Sequence, residues 1–481
     1  MQILIITMQR RINIWSSIDW LTVGMYLILV FLGWINIYAA VYNEEHQGIF
    51  DVTQRYGKQL IWISAALVIA FIVFIIDINF YSYFAYILYG VMMFLLVSVL
   101  IFGKEVHGAT SWFEIGNIRL QPSEFAKIAT ALALARYVSS YNVQLNNIKS
   151  YIRIAAIILF PAFLILLQND TGSALVYSAF IIVLYREGIS ENVLLLALFV
   201  TVLFILALVL EKLIIILLLL GIILVIFWFI NRKLKLTAIA LVILMFFSGA
   251  FYAVNEIFEL GITYYYIILI ALGISAIVYV ILSIKYKIRR VVLLVIFLLG
   301  SIVFTYSVDY VFNNFLEPHQ QKRINVVLGL ESDPYGVEYN VNQSKIAIGS
   351  GGLTGKGFLH GTQTKFDFVP EQSTDFIFCT IGEEWGFLGT LTIVSLFIFF
   401  LYRLIGIAER QRSQFSRVYG YAVVSVFFFH IVINIGMTIG LVPVIGIPLP
   451  FFSYGGSSLW AFTILLFIFL RLDASRLELL H

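Results

Sequence analysis

Along most of its 481 residues the chain alternates long apolar runs with short polar linkers. Many runs approach about 20 residues, the length of helix that crosses the roughly 30 Å hydrocarbon core of a bilayer. Backbone in lipid must satisfy its own hydrogen bonds, and a helix does so within the segment. The runs are continuous, without the period-2 alternation that a membrane β-barrel requires. Spans are expected near 19–42, 59–76, 82–102, 121–138, 152–168, 172–185, 192–210, 213–230, 236–254, 264–283, 291–310, 376–402, 418–441 and 456–471. Polar breaks at Glu211-Lys212 and around Asp170 divide what would otherwise be two longer runs. The expected fold is an all-α polytopic integral membrane protein with about 14 transmembrane helices and a large external loop.

Composition agrees. The chain is 61% hydrophobic and 12% charged, against about 45–50% and 25% in soluble domains. The net charge of +3 matters less than where the charges lie. With the N-terminus inside, nineteen of the 30 Lys and Arg fall on the cytoplasmic side, but only six of the 27 Asp and Glu. Arg10, Arg11, Arg232, Lys233, Lys285 and Arg403 are among those bases, while Glu44, Glu45, Glu256 and Glu259 fall outside. An even number of spans returns the C-terminus to the cytoplasm. The first span lacks a small-residue cleavage site and is expected to remain as a helix. The single Cys379 excludes an internal disulfide and a cysteine metal cluster, and the six His show no ligand spacing.

Two external segments exceed simple connections. One is residues 103–121, GKEVHGATSWFEIGNIRLQ, which leads into Pro122-Ser123-Glu124. The other is 311–375, without a strong helical period but with a Gly-rich centre, GSGGLTGKG, read as an ordered lid. The organisation expected is apolar spans in three groups, 1–190, 191–310 and 376–481, with a large external loop at 311–375.

Chemistry has few places in so apolar a chain. Asp375 stands where the external loop meets a new apolar run, and position alone allows either a helix N-cap or a general base. Glu371 is a second acid just upstream. Glu124 and Lys127, three apart at the start of a span, suit an ion pair on one helix face. At a membrane lip such groups more often face a cavity, where the Lys would suit phosphate. Gln168–Gly172, with Asp170, reads as a tight turn, or as a carboxylate holding a divalent ion. Glu383 and Glu384 lie about 12–14 Å along the helix from Asp375. In lipid they need partners, such as Lys127 or Arg119, or a wet cavity. Pro443–Ser458, PVIGIPLPFFSYGGSS, reads as a broken or re-entrant segment.

Taken together these motifs resemble the SEDS family (shape, elongation, division and sporulation), and its RodA branch more than its FtsW branch. The matching stretches are GATSWFEIGNIRLQPSEFAKI at 108–128, QSKIAIGSGGLTGKGFLHGTQT at 343–364, FVPEQSTDFIFCTIGEEWGFLG at 368–389 and GLVPVIGIPLPFFSYGGSS at 440–458. They fall in the family's order, and FLHGTQT favours the RodA branch. The resemblance implies a peptidoglycan glycosyltransferase that polymerises lipid II on the outer face of the bacterial cytoplasmic membrane. It places the essential aspartate at Asp375, the motif Trp at Trp112, and the paired Glu and Lys at Glu124 and Lys127. Lys345, Lys356 and Glu371 complete the residues expected to hold substrate. Its expected partners are the growing glycan strand and a class B penicillin-binding protein, with no nucleic acid. Two departures stand out: Gln168–Gly172 reads QNDTG where the family has QPDxG, and about four spans exceed the family's usual ten.

The mechanism so implied has Asp375 take the proton of the acceptor sugar's 4-hydroxyl. Undecaprenyl pyrophosphate leaves the donor, its charge met by Lys127, Lys356 or a divalent cation, Mg2+ or Mn2+, with Asp375 and Asp170 as candidate ligands. Competing classes are a lipid II flippase, a division-specific polymerase of the FtsW kind, and a scaffold that only recruits the transpeptidase.

Overall fold

The computed structural model describes residues 14–42, 48–106, 108–116, 118–141, 143, 147–259, 261–316, 318–333, 336, 338–366 and 368–476. Arg10, Arg11, Glu44 and Glu45 lie outside the described residues. Each expected span corresponds to a helix. Twelve of these helices are long and apolar enough to cross a membrane, from Trp20–Val41 to Gly456–Ala474. The other two are Pro122–Val138 and the shorter stretch Thr171–Arg186, which a 3-10 turn at Val176–Ala179 interrupts.

Two compact units emerge, Met1–Glu191 with Ser332–His481, and Asn192–Glu331. The second is therefore longer than the expected 191–310. The segment after helix Val291–Asn314 forms a further helix, Pro318–Val327, that groups with it. The external segment is also more helical than its composition suggests, with Tyr339–Ser350 and Thr362–Lys365 inside it. Tyr339–Ser350 packs on the helix Ile377–Glu409, so tertiary contact supplies the order that local sequence does not.

In the first unit the centre is formed by Pro122–Val138, Gln414–Thr438 and Gly456–Ala474, each buried along most of its length. Ala126, Ala129, Ala131, Ala133 and Ala135 keep Pro122–Val138 narrow enough for neighbours on all sides. Arg55–Ile75 and Ala85–Phe102 bury one face and present the other, mostly apolar, to lipid. Ion pairs tie the helix ends on the side opposite Asp375. Asp19 receives Arg403 (2.6 Å) and Arg410 (3.0 Å), and Asp473 receives Arg410 and Arg476.

The one β element among the described residues was not foreseen. Lys104–Val106, Ala109–Ile115 and Ile118–Leu120 form a three-stranded antiparallel sheet, with Gly108 and Gly116 at positive φ in its turns. Strands of three to seven residues are too short to register as alternation beside runs of twenty. The sheet carries Lys104, Glu114 and Arg119 side by side. The Lys104 ammonium, seconded by Arg119, holds the Glu114 carboxyl below its usual range.

Candidate functional site

The site is built on backbone that is not helical. Residues 441–455, between two spans, run without regular structure and are held from several sides. Asn434 Nδ2 donates to the carbonyls of Ile447 (2.7 Å) and Asp375 (2.9 Å). Four residues earlier on the same helix face, His430 Nδ1 bonds the Pro448 carbonyl (3.1 Å). Ser453 Oγ donates to the Thr374 carbonyl (2.5 Å), and the Tyr454 N–H to the Ser373 carbonyl (2.8 Å). Two glycines admit the segment. A Cβ on Gly172 would sit 2.1 Å from the Ile445 oxygen, and one on Gly33 would sit 2.5 Å from the Phe451 oxygen.

This close approach gives a first expected result. Gly172→Val pushes the 445–447 backbone away at a cost of about 1–3 kcal/mol. The activity expected of Asp375 should fall more than thermal stability, because that backbone borders it. Equal activity in the variant and the parent, at the same melting temperature, would contradict the packing described.

Asp375 lies where these constraints meet. It is half-buried, and a Cβ on Gly446 would be 3.5 Å from its Oδ2. Gly446 has a φ of 69°, a left-handed backbone that glycine adopts readily, and lies against the carboxylate without a side chain. The helix beyond begins at Ile377 with Phe376 at the N-cap position, whose own side chain makes no cap bond. Asp375 stands one residue before that position. Beside it, Arg55 donates to Ser373 Oγ (2.7 Å), lies 3.7 Å from Glu371 and stands over the Tyr454 ring at 5.9 Å. Thr374 Oγ1 donates to Glu371 (3.1 Å).

Glu124 and Lys127 form the expected i,i+3 pair at 2.8 Å, but it is fully buried rather than open at the membrane lip. The Lys127 ammonium reaches on to His430 Nε2 at 3.0 Å. A carbonyl can only accept, so His430 carries its proton on Nδ1 toward Pro448, and Nε2 accepts from Lys127. Glu124, Lys127 and His430 thus form one polar line through the centre of the unit, ending on the segment that borders Asp375.

The Gly-rich stretch turns out to be a plug in a broken helix. Gly386 interrupts Ile377–Glu409 with a φ of 63°. Into that break the N–H groups of Lys356 and Gly357 donate to the carbonyls of Glu383 and Glu384, both at 3.0 Å. The N–H groups of Phe387 and Leu388 donate to the carbonyls of Gly352 (2.9 Å) and Leu353 (3.0 Å). Side chains are excluded here, since a Cβ on Gly355 would be 2.0 Å from the Glu384 oxygen. Irregular backbone is tolerated in a membrane protein where it is enclosed in this way.

Glu383 locks the plug from within. Its carboxylate accepts from Lys356 Nζ (2.6 Å), the N–H groups of Gln363 (2.8 Å) and Thr364 (2.9 Å), and the hydroxyls of Thr362 (3.2 Å) and Thr364 (3.0 Å). Its partners are therefore neither Lys127 nor Arg119. Lys356 Nζ also donates to Thr362 Oγ1 (2.7 Å), which makes it a clamp between the loop and the helix. Glu384 accepts from the Leu359 N–H at 3.2 Å. Residues 377–384 are buried on every side, and outward-facing apolar side chains begin only at Trp385. From Phe387 to Glu409 the helix is itself about 34 Å long, enough to span a bilayer. The two acids thus sit in protein above the spanning part.

The remaining candidates are placed as follows. Asp170 is an N-cap, accepting from the Ser173 N–H (3.0 Å), and its other oxygen takes Gln121 Nε2 (2.9 Å). The turn reading accounts for both oxygens. Trp112 is half-buried on the middle strand, and Lys345 lies along Gly440. No group of three His, Cys, Asp or Glu converges among the described residues, so the chain offers no ready-made metal cage there. Mg2+ commonly takes one or two carboxylates together with substrate phosphates, and both oxygens of Asp170 already accept hydrogen bonds. Arg55, His430 and Asn434 were missed. The signal was there for two of them: His and Asn four apart in a membrane helix mark an interior polar face.

The comparisons with known proteins point one way. The model of the cell cycle protein family of FtsW, RodA and SpoVE matches residues 19–214 and 209–478. The chain is 32% identical to the peptidoglycan glycosyltransferase RodA of Treponema pallidum, over 97% of this chain and all of that one. It is 29% identical to the peptidoglycan glycosyltransferase MrdB of Escherichia coli K12, over 90% of this chain and 88% of that one. In fold it resembles a chain from a peptidoglycan synthase complex, with a TM-score of 0.63 and 24% identity over 96% of this chain and 99% of the other. The crystal structure of RodA from Thermus thermophilus gives a TM-score of 0.55 and 21% identity over 96% and 98%.

Proposed function

The chain belongs to the FtsW, RodA and SpoVE family of cell cycle proteins, and we infer from that premise that it is a peptidoglycan glycosyltransferase of the elongation, rod-shape type. It is a multi-pass protein of the bacterial membrane. The further reading is that it polymerises lipid II on the outer face, with both termini in the cytoplasm and Asp375 as the base. The observation that carries the assignment of Asp375 is its setting: a half-buried carboxylate where the external loop meets the helix Ile377–Glu409, its backbone carbonyl held by Asn434 and its Oδ2 beside Gly446.

In this mechanism Asp375 takes the proton of the acceptor 4-hydroxyl as that oxygen bonds to the donor's anomeric carbon. The bond from that carbon to the undecaprenyl pyrophosphate breaks, and the pyrophosphate carries away the electron pair. A carboxylate in reach of the hydroxyl contributes about 10²–10⁴-fold. Positioning of the two sugars supplies a large further share. Arg55, beside Ser373 and Glu371, is a cation at this corner. A divalent cation on Asp375 and the substrate phosphates would add charge for the leaving group. Glu124, Lys127 and His430 act through the 446–448 backbone, as positioning residues. A class B penicillin-binding protein, cross-linking the new strand, is the partner this function calls for.

The test is polymerisation of labelled lipid II by the purified protein, with products resolved by length. Long glycan is the expected product. Lipid II carried across the bilayer without joining would indicate a flippase, and neither outcome would leave only a scaffold.

A further inference from the structure

In the second unit, the helices Lys212–Asn231, Leu234–Ile257, Tyr264–Lys285 and Val291–Asn314 form two hairpins. Their linkers at one end read NRKLK and KYKIRR, and they carry Arg232, Lys233, Lys235, Lys285, Lys287, Arg289 and Arg290. All seven bases are exposed, and neither linker holds an acid. Arg232, Lys287 and Arg290 sit at positive φ, which turns the chain sharply at that end.

An apolar groove opens directly beneath them. It encloses about 650 Å³, counting its open side, and is lined by residues such as Phe227, Ala240, Leu244, Ala276, Tyr279 and Val291. Each of the four helices enters the groove within about 10 Å of its basic end. Tyr279, one of the two polar residues in the lining, has its hydroxyl bonded to the Leu236 carbonyl at 2.9 Å. A second apolar groove, lined by Gly273, Ile277, Val280 and Leu299, shares Ala276 and Val295 with the first.

We propose that this end of the second unit is a binding site for one anionic diacyl phospholipid of the leaflet the basic linkers face. The phosphate lies among Lys285, Lys287, Arg289 and Arg290, and the two acyl chains lie in the two grooves. The occupant follows from complementarity. The cavity walls offer almost nothing to a polar ligand, the rim offers only positive charge, and two adjoining grooves match two chains. Basic clusters next to membrane helices attract anionic lipid in general. The groove beneath makes this a defined site instead of a diffuse attraction.

The full-length protein should be reconstituted in bilayers of equal phosphatidylglycerol and phosphatidylcholine, and its retained lipid counted by native mass spectrometry. Retention of phosphatidylglycerol over phosphatidylcholine by about tenfold is expected. Lys285→Gln with Lys287→Gln should remove that preference, while Arg289 and Arg290 still set the orientation. Ala276→Phe and, separately, Ala240→Leu should release the lipid with every charge in place, and lipid II polymerisation reports that each variant is folded. Equal retention of the two lipids would overturn the site. So would retention unchanged by both groove substitutions, which means diffuse attraction only. Displacement by millimolar inorganic phosphate, or by a single-chain polyprenyl phosphate at equal concentration, would overturn the diacyl assignment.

Discussion

Asp375→Asn should lower the rate of lipid II polymerisation by about 10²–10⁴-fold while leaving the folded protein intact. The substitution keeps the shape of the side chain and removes its basicity. It also spares the anchoring contact, because Asn434 bonds the carbonyl of Asp375 and not its carboxylate. No helix end is lost either, since Phe376 occupies the N-cap position. A melting temperature equal to the parent's, with polymer nearly absent, is the expected pair of results. Polymer formed at the parent rate would remove Asp375 from the chemistry.

The second large effect belongs to Glu383. Glu383→Ala deletes an acceptor that serves one ammonium, two backbone N–H groups and two hydroxyls. Breaking a buried ion pair costs about 3–5 kcal/mol, here toward the lower figure because the Lys356 side chain is 26% exposed and can reach water. The loop from Gly351 to Phe366 should then exchange its amide hydrogens faster and become open to proteolysis. Polymerisation should fall with it, as the loop no longer holds its place beside the break at Gly386. Glu383→Gln, which keeps an acceptor for Gln363 and Thr364, should fall between the parent and Ala. Unchanged protection of 351–366 in the Ala variant would show that the backbone contacts at Gly352–Gly357 hold the loop without the clamp.

Much of this was legible before any coordinates. Continuous apolar runs fix helical spans well, since length and hydropathy are local properties: a helix stands at each of the fourteen expected places, and twelve are long and apolar enough to cross a membrane. The ion pair of Glu124 and Lys127 followed from spacing alone. What spacing could not supply was depth. Nothing in a three-residue offset says that the pair is sealed at the centre of the unit, or that His430, some 300 positions later, completes it. The Gly-rich stretch misled for a similar reason. Glycines admit a close backbone approach to any partner, and here the partner is a broken helix. Gly386, the residue that breaks it, looks from sequence like any other glycine in a span. The boundary of the second unit shifted because Pro318–Val327 is polar and short, so its grouping is decided by packing.

The measurement that bears most directly on the whole account is lipid II polymerisation in proteoliposomes of known protein orientation. Lipid II is supplied to one leaflet at a time, and glycan length and lipid movement are read together. Long glycan is predicted when lipid II is on the face that carries Asp375, with none from the opposite face and none in the Asp375→Asn protein. Transfer of lipid II between leaflets without polymer, or polymer formed equally from both faces, would contradict it.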